Sequence, residues 1–276
     1  MTAVTIQPTE CITFPRSGHH LLVRLLKQYF GDDMLGYSES YTDPNRRLEL
    51  DPSVRFQKNH DLQLGTSVRD DRRYIVQIRY PIDSLVSWYK WECENRRATD
   101  SPDAWVNFAL QKTSFWMQFY RKWVLDYIPG RLIVNYADLL TKPDEALRRV
   151  VEHLTDETPD EARIAECCAN EEIRQRNHYR GFKYYGESFF GMLKGLYAAV
   201  PGIDLASDRL VIPVESDGDD KSHDQTGAIV HELRQASRLI NDLAERVNLN
   251  SAPASGSANP VNGAGVTSEP TVPAGV

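Results

Sequence analysis

Apolar positions in this chain alternate between short continuous runs and longer stretches with helical spacing. The run Cys11-Ile12-Thr13-Phe14, bounded by Pro15, predicts a buried strand. After it, Leu21, Leu22, Leu25, Leu26 and Tyr29 keep a helical period that Gly31 ends. Residues 54–58 alternate apolar and polar and predict a second strand, and 74–79 a third. Pro81 stands where proline best opens a helix, ahead of Leu85, Trp88, Tyr89 and Cys93. Residues 103–126 predict one long amphipathic helix carrying Trp105, Phe108, Phe115, Trp116, Phe119 and Trp123. The Pro129-Gly130 turn precedes a fourth strand at 131–136, and 143–154 and 159–168 read as two further helices. Strands alternating with helices predict an α/β fold, a parallel sheet flanked by helices on both faces.

The last part of the chain reads differently. Residues 217–224 are acidic and turn-rich, an expected exposed loop, and 225–247 have helical spacing at Ile229, Leu233, Leu239 and Leu243. Beyond Asn250 there is no Lys, Arg or aromatic residue, only a stretch dense in Ala, Gly, Pro and Ser. Such a segment buries too little apolar surface to offset its ordering entropy. The expected organisation is therefore one domain over 1–249 and a disordered tail over 250–276.

The 276 residues, 41% hydrophobic and 26% charged, suit a soluble domain with a substantial core. A net charge of −7 argues against nucleic acid or an anionic membrane as partner, so an anion site must be built locally. Cys11, Cys93, Cys167 and Cys168 form no CxxC pair, which points to reduced thiols rather than zinc or disulfides. No apolar run follows Met1 and no stretch approaches the ~18 residues of a membrane span, so a cytoplasmic protein without a membrane anchor is expected.

Candidate chemistry begins after the first strand. A strand running through a glycine-containing loop into a helix N-terminus suits phosphate or sulfate, because unpaired N–H groups converge there with the positive end of the helix dipole. Arg16 adds a charge-assisted partner. The nucleotide-kinase loop requires Gly-Lys and then Ser or Thr for Mg²⁺, whereas Gly18 is followed by His19-His20. Adjacent histidines on a helix point about 100° apart and do not naturally clasp one metal, so no metal is expected.

Residues 14–20, 78–89 and 56–61, with looser matches at 131–140 and Arg180-Gly181, resemble segments of the PAPS-dependent sulfotransferase family, PAPS being 3′-phosphoadenosine 5′-phosphosulfate. Phe14-Pro15-Arg16-Ser17-Gly18-His19-His20 is similar to the family's 5′-phosphosulfate loop, Pro-Lys-Ser-Gly-Thr-Thr, with Arg16 in place of Lys and two histidines in place of the threonines. Ile78-Arg79-Tyr80-Pro81-Ile82-Asp83-Ser84-Leu85-Val86-Ser87-Trp88-Tyr89 is similar to the 3′-phosphate segment, Arg-x-Pro-x-Asp-x-x-x-Ser-x-Tyr. Phe56-Gln57-Lys58-Asn59-His60-Asp61 resembles the Lys-x-His segment of hydroxyl-acceptor members. Residues 131–140 resemble the strand that ends in Tyr-Glu-Asp-Leu, with Ala137 for Glu, and Arg180-Gly181 resembles the loop that closes over the 3′-phosphate. The likeness covers about 10–190.

The resemblance implies a P-loop-like three-layer fold and sulfuryl transfer from PAPS to a hydroxyl of a small molecule, glycan or glycolipid. It implies His60 as general base, and Lys58 and Arg16 on the transferring group. The cofactor contacts it implies are Arg16, Ser17, Gly18, His19, His20, Arg79, Ser87, Tyr136, Arg180 and Gly181. The aromatic residues of 103–126 either wall an acceptor pocket or are plain core. Two other readings stay open: an ATP-dependent phosphotransferase, and a non-catalytic protein that uses the fold to bind a nucleotide or other ligand.

Overall fold

The structure, a computed structural model, describes residues 5–39, 53–171, 178–198 and 200–211. Among the described residues, five parallel strands form the central sheet: β1 (Thr9–Thr13), β2 (Tyr37–Glu39), β3 (Phe56–Asn59), β4 (Arg73–Ile78) and β5 (Arg131–Asn135), in the order β2-β3-β1-β4-β5. Helices α1 (His19–Phe30), α2 (Asp32–Leu35), α3 (Pro81–Glu94), α4 (Pro102–Tyr120), α5 (Tyr136–Thr141), α6 (Pro143–Thr155), α7 (Glu161–Asn170) and α8 (Glu187–Tyr197) surround it. A short antiparallel pair, β6 (Ile203–Asp204) and β7 (Arg209–Leu210), follows. The expected α/β class, a parallel sheet flanked by helices, is what the chain adopts.

Side chains alternate across the sheet, and the core divides accordingly. Ile12, Tyr74, Val76 and Ile78 pack with α3 and α4, while Cys11, Phe56, Ile75 and Val134 pack with α1 and α6. Trp105, Trp116, Phe119 and Trp123 are fully buried in the first of these layers. The central strand β1 is flanked by β3 and β4, with Cys11 opposite Lys58 and Thr13 opposite Gln77. The chain goes from β1 to the edge strand β2, returns to β3 and then crosses to β4 on the other side of β1, so the sheet has its switch point at the carboxyl end of β1. Ligands bind there in open α/β sheets.

Several expected boundaries shift. Tyr136 is not the end of the fourth strand but the first residue of α5, because the Asn135 carboxamide accepts from the Ala137 N–H at 3.1 Å and caps a helix. The long helix predicted to 126 is regular only to Tyr120 and then widens into a π-turn over Arg121–Leu125. Helix α7 starts at Glu161 rather than 159, since Asp160 caps the N–H groups of Ala162 and Arg163. Beyond Arg180-Gly181, helix α8 buries Phe190, Leu193 and Tyr197 along one face. The acidic loop, the helix expected at 225–247 and the tail from 250 lie outside the described residues. Among the described residues no helix is long and apolar enough to cross a membrane.

Candidate active site

The loop from β1 into α1 turns on two left-handed residues, Arg16 (φ 67°) and Gly18 (φ 89°). The first intrahelical bonds run from Leu21 and Leu22 to the Gly18 carbonyl at 3.0 and 3.2 Å. The N–H groups of Gly18, His19 and His20 therefore stand ahead of the helical ladder, at its positive end. The Ser17 N–H instead donates to Phe14 O at 3.2 Å, and Ser17 is 1% exposed. The turn thus occupies the Ser17 amide and leaves those of Gly18, His19 and His20 at the start of the helix.

Gly18 has a second reason to be glycine. A Cβ built on it would lie 2.2 Å from the Tyr136 ring. That ring also lies under the Arg79 guanidinium, 4.7 Å from its centroid. Arg79 in turn donates to Arg16 O at 3.4 Å and faces Asp83 at 4.0 Å. Arg16 Nε donates to the Ser87 hydroxyl at 3.3 Å. Residues from the ends of β1, β4 and β5 are thereby linked around one loop. Burial pushes the Asp83 carboxyl above its ordinary range, against the pull of Arg79.

His60 enters from the end of β3. Its Nδ1 lies 2.6 Å from Thr13 O. A carbonyl only accepts, so Nδ1 carries the proton and Nε2 keeps its lone pair. Burial pushes the ring's pKa down to about 4, the neighbouring Lys58 charge helps, and the Thr13 bond and Glu39 oppose. His60 is therefore neutral at physiological pH. Lys58, 5% exposed, is ion-paired to Glu39 on edge strand β2.

A cavity of about 710 Å³ opens over these strand ends. Its wall holds Arg16, Gly18, His19, His20, Lys58 and His60. Arg79, Ser87 and Tyr136 complete that part of it, and Leu62, Trp88, Trp91, Glu92 and Arg97 extend it outward. A second cavity of about 360 Å³ shares Arg79 and Tyr136 with the first and is bordered by Asn135, His178 and Asp208.

The two histidines of the loop behave differently. His19 turns to the sheet, with Nε2 3.0 Å from the Tyr37 hydroxyl and Nδ1 3.5 Å from Cys11 Sγ. Burial holds it well below the ordinary imidazole range. His20 is exposed, and partial burial, with Lys58 beside it, lowers its pKa as well. Ser17, Arg180 and Gly181 do not line either cavity. The Arg180 guanidinium is held 3.0 Å from Asp208, whose carboxylate also accepts from Tyr179 at 2.8 Å and pairs with Lys194 at 2.5 Å. Of the aromatic residues in 103–126, none lines the large cavity; Trp88 and Trp91 from α3 line it, together with Tyr136.

Sequence reasoning assigned no role to Glu39, Asp61, Asp83 or Asp208. Asp83 has a sequence signal, standing four residues after Arg79 in the first turn of α3. Asp208 has none, because its partners come from distant segments.

No protein-family model matches the chain, and no curated protein matches it. Among solved structures, it is similar to a sulfotransferase from Alicyclobacillus acidocaldarius, with 14% identity and a TM-score of 0.40 over 71% of this chain and 92% of that one.

Proposed function

We propose that this chain is a PAPS-dependent sulfotransferase acting on a hydroxyl of a small molecule, glycan or glycolipid. The observation that carries the reading is the opening of a neutral, tautomer-fixed His60 onto the same cavity as a helix N-terminus with Arg16, Arg79 and Ser87. The 5′-phosphosulfate would lie over the Gly18, His19 and His20 amides beside Arg16. Arg79 and Ser87 would take the 3′-phosphate, with Tyr136 supporting the Arg79 plane and the second cavity receiving the adenosine end.

His60 Nε2 accepts the acceptor's hydroxyl proton. A bond forms between that oxygen and sulfur as the bond from sulfur to the 5′-phosphate oxygen breaks, and adenosine 3′,5′-bisphosphate leaves. The charge spread over the transferring oxygens falls to Lys58 and Arg16. A non-catalytic nucleotide-binding reading draws on one observation, the pairing of Lys58 with Glu39, which offsets the lysine's charge beside the transfer site. The phosphotransferase reading lacks the lysine and hydroxyl that Mg²⁺–ATP chemistry uses at this loop.

Transfer of ³⁵S from labelled PAPS to a panel of phenols, sugars and glycolipids separates the readings. Labelled product is expected, together with a distinctive pH profile. Neutral His60 is the competent form, so activity is full above its folded pKa and is lost as pH falls through it. A bound anion raises that pKa from about 4. At saturating PAPS the acid limb is expected at roughly pH 4–6, with a flat rate above it. Nucleotide binding with no transfer to any hydroxyl would favour the non-catalytic reading instead.

A further inference from the structure

The loop that carries His60 is tied into a buried polar cluster to which the proposed transfer assigns no role. On one side of His60, Asn59 Nδ2 donates to Glu10 Oε1 at 2.7 Å and to the Thr66 hydroxyl at 2.9 Å, and its Oδ1 accepts from the Asp61 N–H at 2.7 Å. On the other side, Asp61 Oδ1 accepts from the Thr66 N–H at 2.8 Å. Asp61 Oδ2 accepts from Lys122 Nζ at 2.6 Å and from Trp123 Nε1 at 2.8 Å. Lys122 also donates to the carbonyls of Leu64 and Thr66, at 2.9 and 2.6 Å. The Asp61 side chain is 2% exposed.

Two features mark this as more than a satisfied core. Asp61 (φ 42°) and Leu64 (φ 55°) are held in the left-handed region, which side-chain-bearing residues rarely adopt without support from their surroundings. And the π-turn at Arg121–Leu125 falls where adjacent residues, Lys122 and Trp123, both reach one carboxylate oxygen. On a regular α-helix neighbours point about 100° apart; wide turns of this kind are frequent at functional sites. The irregular backbone of both partners thus converges on the residue after His60.

We propose that Asp61 and Lys122 are positioning residues for His60, locking the 59–66 loop onto the π-turn that follows α4 so that Nδ1 stays on Thr13 O and Nε2 faces the cavity. The inference rests on the reading of His60 as the base. The imidazole is oriented through the Thr13 carbonyl, and that bond holds only while the backbone at 60 is fixed from both sides.

The test is Asp61→Asn, with Lys122→Met as the second variant, since Lys122 is partly exposed and its loss spares the core carboxylate. Three readouts are taken: steady-state transfer of ³⁵S to the best acceptor of the panel, adenosine 3′,5′-bisphosphate affinity, and the ¹⁵N shifts of the His60 ring. The expected result is a fall in kcat on the order of 10²-fold, as a misplaced reacting group produces. KM for PAPS and bisphosphate affinity stay near wild type, and the ring shifts from a pure Nδ1–H tautomer to a mixture. Lys122→Arg, which keeps the charge, restores part of kcat. Folded variants with unchanged kcat and an unchanged ring tautomer would overturn the proposal. So would parallel loss of turnover and nucleotide affinity with the tautomer intact, the signature of general destabilisation. If His60→Ala leaves transfer unimpaired, the base reading itself falls, and the ring shifts still show separately whether the cluster sets the imidazole.

Discussion

Replacing His60 with alanine is expected to lower turnover by about 10²–10⁴-fold while leaving adenosine 3′,5′-bisphosphate affinity close to wild type. The separation follows from geometry. The imidazole is bound through Nδ1 to Thr13 O, so removing it takes away the proton acceptor, whereas the amides of Gly18 to His20, Arg16, Arg79 and Ser87 hold their places. Burial has already made the ring neutral, so the change removes no fixed charge from the nucleotide's surroundings at pH 7. Steady-state transfer and calorimetry on the same preparation measure both quantities. Undiminished turnover would show that another group takes the proton.

Gly18→Ala is expected to have the second large effect, on both stability and binding. At φ 89° any L-residue is strained, by about 1–2 kcal/mol. The added methyl would also meet the Tyr136 ring at 2.2 Å, and relieving such overpacking costs roughly 1–3 kcal/mol more. Displacing that ring removes the surface on which Arg79 lies, so nucleotide affinity should fall by about tenfold or more, the value of one charge-assisted hydrogen bond. Gly31 is the control. Its φ is 82°, but nothing lies within 4 Å of a Cβ there, so Gly31→Ala should lower Tm through backbone strain alone and spare binding. Thermal unfolding and calorimetry of the two variants test this. Equal effects at Gly18 and Gly31 would contradict the close Gly18–Tyr136–Arg79 packing.

What could be read from the chain follows from the range over which each feature is encoded. Strands β1, β3, β4 and β5 announce themselves as apolar or alternating runs beside Pro or Gly, because buried parallel strands need such runs. Edge strand β2 has only Tyr37–Glu39, too short to show a period. Helix α8 contains Gly191 and Gly195, which weaken the helical signal that its buried Phe190, Leu193 and Tyr197 supply. The loops after β1, β3 and β4 were legible as neighbours, since parallel topology brings strand carboxyl ends to one edge.

Their finer chemistry was not legible. The tautomer of His60 is set by a backbone carbonyl, which sequence patterns do not reveal. His19 and His20 are indistinguishable as letters, yet one faces the sheet beside Cys11 and Tyr37 and the other faces outward. Arg180 sits within a suggestive Arg-Gly pair, but Asp208, from the β6–β7 turn, holds its guanidinium. Such long-range charge pairing has no local signature.

Calorimetric titration with adenosine 3′,5′-bisphosphate, 5′-AMP and ATP, without metal, tests the central claim most directly. A 3′-phosphate read by Arg79 and Ser87 predicts a preference of about 10–100-fold for the bisphosphate over 5′-AMP, which Arg79→Ala erases. Equal or absent binding of the bisphosphate, or binding of ATP only when Mg²⁺ is added, would contradict it.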